Sequence, residues 1–168
     1  MHRHNGIALS VVLVLGLALL PSSALSQQKS LKDELVGTWV VVSWDQTMKD
    51  GTKFQRFGAS PKGVNVFDAN GRFVIMFARA DLPKIASNNP NTPTPDEANA
   101  IAKGSVAYFG SYTVDDATKT IDLRVESSTF PNLIGEQKRK ITALTGDDLK
   151  YTNAVDAGPI DIALKRAR

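Results

Sequence analysis

The sequence predicts an all-β domain, an antiparallel sandwich or barrel, behind an N-terminal export signal. Three observations carry this. Apolar and polar residues alternate along about nine short runs. Turn residues separate those runs at short intervals: Asp50-Gly51, Asn70-Gly71, Asp115-Asp116, Gly146-Asp147 and Gly158-Pro159. A charge-free apolar run opens the chain. Period-two alternation gives each strand one wet and one dry face, and many short strands with regular turns favour antiparallel pairing.

The opening segment comes first in the chain. His2, Arg3 and His4 precede the apolar residues 7–20, Pro21 breaks that run, and Ala24-Leu25-Ser26 places small residues at a cleavage site. This is the layout of a secretory signal, with cleavage expected before Gln27 and after Ala24 as second choice. A membrane-spanning helix wants about 20 apolar residues, and this run is shorter. The expected organisation is therefore a signal over residues 1–26 and one domain over 27–168. No membrane anchor is expected after cleavage, and the protein should be periplasmic or secreted.

The composition of the domain excludes whole classes of chemistry. Both histidines, His2 and His4, lie in the signal, and the chain has no cysteine. A Ser-His-Asp triad, a Cys-His pair and the usual zinc ligands are therefore not available. Neither are disulfides, so the core alone must hold the fold. Charge is nearly balanced: 20 basic residues, one of them in the signal, face 17 acidic ones. Lys138-Arg139-Lys140 and Lys165-Arg166 sit inside alternating patterns. They read as solvated strand faces, so no nucleic-acid partner is expected.

The strands follow in order. Residues 38–45 are rich in Val and Trp, and weaker runs cover 53–57 and 63–67. Residues 72–79 alternate on Phe73, Ile75 and Phe77. Asn70-Gly71 predicts a type I′ hairpin turn joining these last two runs, because both residues accept positive φ. Residues 105–114 carry Val106, Tyr108, Tyr112 and Val114 on one parity. Residues 120–127 set Ile121, Leu123 and Val125 against Asp122, Arg124 and Glu126. Residues 138–144, 149–154 and 160–166 complete the set.

Two short helices are expected. One covers residues 31–36. The other covers 95–103, with Thr94 as its cap, Pro95 at its first position, Asp96 and Glu97 at its positive end, and Gly104 as its stop. Residues 81–95 contain Pro83, Pro90, Pro93 and Pro95 and cannot form a central strand. An interruption this long in a tight meander is commonly a lid or binding loop, here expected over an open mouth.

In their order, these residues resemble the bacterial and fungal lipocalin-like domain family. Leu35-Val36-Gly37-Thr38-Trp39, Ser43-Trp44 and Asp50-Gly51 resemble its opening. Residues 107–114, which read AYFGSYTV, resemble its central stretch. Glu126-Ser127-Ser128, Phe130-Pro131-Asn132, Gly135, Gln137 and Arg139 follow its next segment, and Gly146-Asp147-Asp148-Leu149 resembles its G-D-x-L turn. The resemblance implies an up-and-down β-barrel of eight to ten strands with a central cavity. It also implies a closing element, in which Gly37 and Trp39 begin the first strand and an arginine of the last strand packs over the tryptophan. Arg166 is the candidate; the alternative is an exposed Arg166.

Tyr108, Tyr112 and Arg139 form the candidate ligand site. The tyrosines share a parity, Arg139 shares one with Ile141 and Ala143, and Ser43 shares one with Trp39 and Val41. An apolar cavity with a few polar groups suits a small molecule. The alternative is ordinary barrel filling with Arg139 half exposed. Glu126 and Asp115-Asp116 fall on a solvent parity and in a turn, so no metal or catalytic carboxylate is assigned.

The reading is an exported, non-catalytic barrel binding a small apolar or weakly acidic, amphipathic molecule in its lumen, without a cofactor. Two rivals stand beside it. One is a cofactor-free isomerase or lyase using Tyr108 or Tyr112 with Arg139 to polarise a carbonyl. The other is a structural or interaction module whose barrel is filled.

Overall fold

The computed structural model of the chain describes residues 29–168 together with His2. The expected export signal, apart from His2, and its expected cleavage site lie outside the described residues. After a short helix, α1 (Leu31–Leu35), the strands run β1 (Gly37–Thr47), β2 (Lys53–Phe54), β3 (Lys62–Phe67) and β4 (Arg72–Ala78). A long connection carrying helix α2 (Pro95–Gly104) leads to β5 (Ser105–Asp115) and β6 (Thr120–Ser128). A 3₁₀ turn at Pro131–Leu133 precedes β7 (Gly135–Leu144), β8 (Asp148–Asn153) and β9 (Ile160–Arg166).

All pairings are antiparallel: β1 pairs with β2, β3 and β9, and from β3 to β9 each strand pairs with the next. The β1–β9 ladder closes eight strands, β1 and β3 to β9, into a barrel. Closure removes the exposed edges of an open sheet. β2 is an extra strand, folded back onto the end of β1 at Gln46 and Thr47. The up-and-down barrel implied by the resemblance is thus the fold, with nine strands and two short α-helices among the described residues.

Both helices start where their caps require. Ser30 and Asp33 form a reciprocal capping box on α1, and Thr94 and Glu97 form one on α2. Each satisfies backbone donors that a first turn leaves unpaired. Pro95 occupies the first turn of α2, where its missing N–H costs nothing.

The barrel has two distinct ends. The start of β1, the β3–β4 turn, the β5–β6 turn and the β7–β8 turn share one end with α1. The β4–β5 connection with α2, the β6–β7 turn and the β8–β9 loop share the other, the mouth. The proline-rich segment therefore stands at the mouth end, opposite Trp39.

Three local expectations are corrected. The β3–β4 turn is not type I′. Gly71 takes φ 83°, but Asn70 does not take positive φ. Asp68 and Arg72 close the turn through Asp68 N to Arg72 O at 2.9 Å, and Gly71 N donates to Asp68 O at 3.2 Å. This is a three-residue loop ending in a left-handed glycine. The Asp68 carboxylate decides it, because its Oδ1 also accepts from Arg72 N at 2.7 Å. Second, the run over 53–57 yields a strand of only two residues. Phe57 leaves the strand and is buried in the core at 1% exposure. Third, β1 does not keep one parity: a bulge between Val41 and Ser43 shifts the β9 register. An extra residue in one strand exchanges the two faces beyond it. Trp39 and Val41 face inward before the bulge, and Trp44 and Gln46 face inward after it.

Candidate functional site

The barrel interior is apolar except for a small set of side chains. Ile121, Leu123, Val125, Ile141, Ile75 and Val106 are buried on the inner faces of their strands. Among them stands Arg139 of β7, opposite Ile121 and only 2% exposed. Its Nη1 donates to Asn153 Oδ1 at 2.6 Å and to the Lys138 carbonyl at 2.9 Å. Its Nε is buried without a hydrogen-bond partner. Arg139 forms no salt bridge with a carboxylate among the described residues. Burying a charge is costly unless it is paired, and neutral oxygens compensate this one only in part.

A second buried polar pair completes the set. Asn65 of β3, fully buried, donates from Nδ2 to the Tyr151 hydroxyl of β8 at 2.6 Å across the lumen. Its Oδ1 has no partner. Turning the amide over would change which of its atoms is left alone, but one would be left in either orientation. Burial pushes the Tyr151 hydroxyl well above the usual tyrosine range. Tyr108 adds to that rise, and the Arg139 charge and the Asn65 hydrogen bond oppose it. Tyr108 is buried at 5% exposure and edge-on to Phe73 at 6.0 Å, and it pairs with Ile75, the cross-strand partner of Asn65.

Tyr112 and Ser43 stand elsewhere. Tyr112 is buried, but its hydroxyl donates to the Asp68 carbonyl at 2.7 Å, in the β3–β4 turn at the closed end. Burial, with a smaller effect of the Asp68 charge, pushes that hydroxyl up to about 12. Ser43 pairs with Ala163 and sits half-buried on the outer face, because the β1 bulge gives its inward place to Trp44. The expectation that Ser43 joins the lumenal set is corrected.

At the closed end, Trp39 is fully buried and its Nε1 donates to the Leu35 carbonyl at 2.8 Å. The Arg166 guanidinium lies over its ring. Arg166 Nη1 donates to Val36 O at 3.0 Å, Nη2 to Glu34 O at 2.7 Å, and Nε to Gly146 O at 2.5 Å. A Cβ on Gly37 would sit 2.5 Å from Arg166 Nη1, and Gly37 takes φ 140°. Both facts require glycine there.

At the mouth end, three buried aromatics form a layer. Phe57 is edge-on to Trp44 at 5.3 Å and stacked on Phe77 at 5.6 Å. Beside them at the rim, Gln46 Nε2 donates to the Gly158 carbonyl at 3.2 Å, so this buried amide is committed to the β8–β9 loop.

Four polar residues of the interior escaped the sequence reading: Gln46, Asn65, Tyr151 and Asn153. Asn65 had a readable signal. It shares parity with the buried Phe67, and the hairpin register sets it opposite Ile75. Tyr151 shares parity with Leu149, buried beside it on β8. Among the described residues, no three His, Asp or Glu side chains converge to hold a metal.

Comparison with known proteins adds the following. The sequence pattern of the lipocalin-like domain family matches residues 36–165. No curated protein matches the chain. Among solved structures, a lipocalin-like protein from Bacteroides uniformis ATCC 8492 is 13% identical, over 80% of this chain and 99% of its own, with a TM-score of 0.46. A redesigned β-barrel is 16% identical, over 85% of this chain and all of its own, with a TM-score of 0.44. A second redesigned barrel, bound to DFHBI, is 15% identical, over 83% of this chain and all of its own, with a TM-score of 0.41.

Proposed function

The chain belongs to the lipocalin-like domain family, and we propose that it is an exported protein that holds a small apolar or weakly acidic, amphipathic molecule in the barrel lumen without acting on it chemically. One observation carries the reading: a buried arginine with an unpartnered Nε, among apolar walls that also hold an unpartnered Asn65 amide atom. Most buried polar groups in native interiors are hydrogen-bonded, so each of these two calls for a partner. A ligand carboxylate or carbonyl would satisfy Arg139 Nε, and Tyr108 would help orient that polar end. The apolar strand faces would take the rest of the molecule.

The test is a titration of the mature protein with fatty acids and aromatic carboxylates, parent against Arg139→Leu. Loss of one charge-assisted hydrogen bond should weaken binding by about tenfold or more. Equal affinity in the two proteins overturns the assignment.

One observation favours a second reading, a barrel filled by its own side chains that serves as a structural or interaction module. Trp44, Phe57 and Phe77 pack against one another across the mouth end. The same titration separates the two: the filled barrel takes up no ligand in the lumen.

A further inference from the structure

We propose a second binding site, on the rim of the mouth and outside the lumen, for an organic anion carried on a flat apolar body. It is independent of the lumenal reading, because the Trp44–Phe57–Phe77 layer lies between the two, with Phe57 only 1% exposed.

The site is a cleft of about 920 Å³ between the end of β2, the residues after β4, the last turn of α2 and the turn after β6. That volume lies within the range of small-molecule pockets. Its walls are mostly apolar, from Phe54, Leu82, Ala100 and Phe130 among others. Phe54 and Phe130 come from segments distant in sequence, and each is nearly half exposed, at 49% and 45%. Gathered on one concave surface, the two rings form an apolar wall that a flat ligand can cover.

Charge selects the occupant. Three cations line the cleft, Arg56, Arg79 and Lys103, with one carboxylate, Asp81. Asp81 belongs to Arg79, through Nε–Oδ1 at 2.8 Å and Nη2–Oδ2 at 2.7 Å. Arg56 and Lys103 have no carboxylate partner within salt-bridge distance among the described residues.

Arg56 is also held in place. Its Nε donates to the Lys103 carbonyl at 3.0 Å, its Nη2 reaches the Ala102 carbonyl at 3.5 Å, and its guanidinium stacks on Phe57 at 5.1 Å. These contacts fix the plane of the group and leave Nη1 for a ligand. A half-buried guanidinium without a counter-ion favours an anion beside it, and a planar guanidinium matches a carboxylate or sulfonate. Fatty-acid chains and flat aromatic anions share the charge, but a wall of two phenyl rings favours the aromatic one.

The probe is 1-anilinonaphthalene-8-sulfonate, titrated into the isotope-labelled mature chain and followed by fluorescence and amide chemical shifts. The amides of Phe54, Arg56, Ala100, Lys103 and Phe130 should move, whether or not those of Asn65 and Tyr151 respond as well. Lys103→Glu should weaken binding by about tenfold, and Phe130→Ser should weaken it as well. Both residues are exposed at the surface, so both variants should fold. Arg139→Leu should bind the probe as the parent does, even where it abolishes lumenal binding. Shifts confined to Asn65, Tyr151 and their strands overturn the proposal. So does parental affinity in Lys103→Glu and Phe130→Ser, or a parent that does not bind.

Discussion

The Arg166 guanidinium carbon lies 4.1 Å from the centroid of the Trp39 ring, so the last strand is fastened over the first. Three backbone carbonyls, from Glu34, Val36 and Gly146, take the guanidinium hydrogens on its rim. One side chain thereby joins α1, the start of β1, the β7–β8 turn and β9. A cation over an indole contributes about 0.5–2 kcal/mol, and its removal also strips three carbonyls of a donor.

Arg166→Ala should therefore destabilise the barrel by about 1–3 kcal/mol. Chemical denaturation gives the loss, and the near-ultraviolet circular dichroism of Trp39 should change with it. An unchanged midpoint would remove Arg166 from the closure. Gly37→Ala should be at least as damaging, because it adds a clash with Arg166 Nη1 to an unfavourable φ.

The β1 bulge makes a contrast between neighbours. Ser43→Ala changes an outward residue, and stability should stay within about 0.5 kcal/mol of the parent. Trp44→Ala empties part of the aromatic layer against Phe57 and should cost about 3–5 kcal/mol. Thermal or urea denaturation of both variants checks the register directly. Had β1 run without a bulge, Trp44 would face outward and its replacement would cost little.

Alternation in strands such as Thr120–Ser128 was enough to read most of the barrel, because one wet and one dry face leave a period of two. Residues 93–104 were as legible, since capping chemistry is local. The bulge at Val41–Ser43 was not, because nothing in Val40-Val41-Val42-Ser43 marks which residue will be left out of the ladder. The β3–β4 turn was misread because the deciding group, the Asp68 carboxylate, stands two residues before Asn70-Gly71. Asn65 shares its parity with the buried Phe67, but the two valines of that strand, Val64 and Val66, face outward while the polar residue faces in. There, cross-strand neighbours rather than hydropathy choose the buried side. The mouth cleft was illegible for another reason: four segments far apart in sequence build it.

Export is tested at the protein's own N-terminus. Mature protein should begin at Gln27, or at Leu25 if cleavage follows Ala24. N-terminal sequencing of the exported fraction gives the answer. Protein retaining Met1 and held in a membrane would refute cleavage.

The three tyrosines of the chain, Tyr108, Tyr112 and Tyr151, are all buried, and two of them set an alkaline limit on the fold. Burial first, and the Asp68 charge second, push the Tyr112 hydroxyl up to about 12. In the unfolded chain the same hydroxyl ionises near pH 10. A raised folded value means that the fold favours the neutral phenol. That contribution is complete below about pH 10 and is lost as the pH rises from 10 through 12. Tyr112→Phe cannot ionise, so it escapes this loss. At neutral pH it gives up only the hydrogen bond to the Asp68 carbonyl, worth about 0.5–1.5 kcal/mol. Urea denaturation of parent and variant should therefore show a parent advantage at pH 8 that shrinks steadily above pH 10. Absorbance near 295 nm should show one tyrosinate step close to pH 12 in the folded parent that is missing from the variant. A stability gap that stays constant from pH 8 to 12 would mean that Tyr112 ionises as freely in the fold as in the open chain. That would contradict its buried place at the closed end.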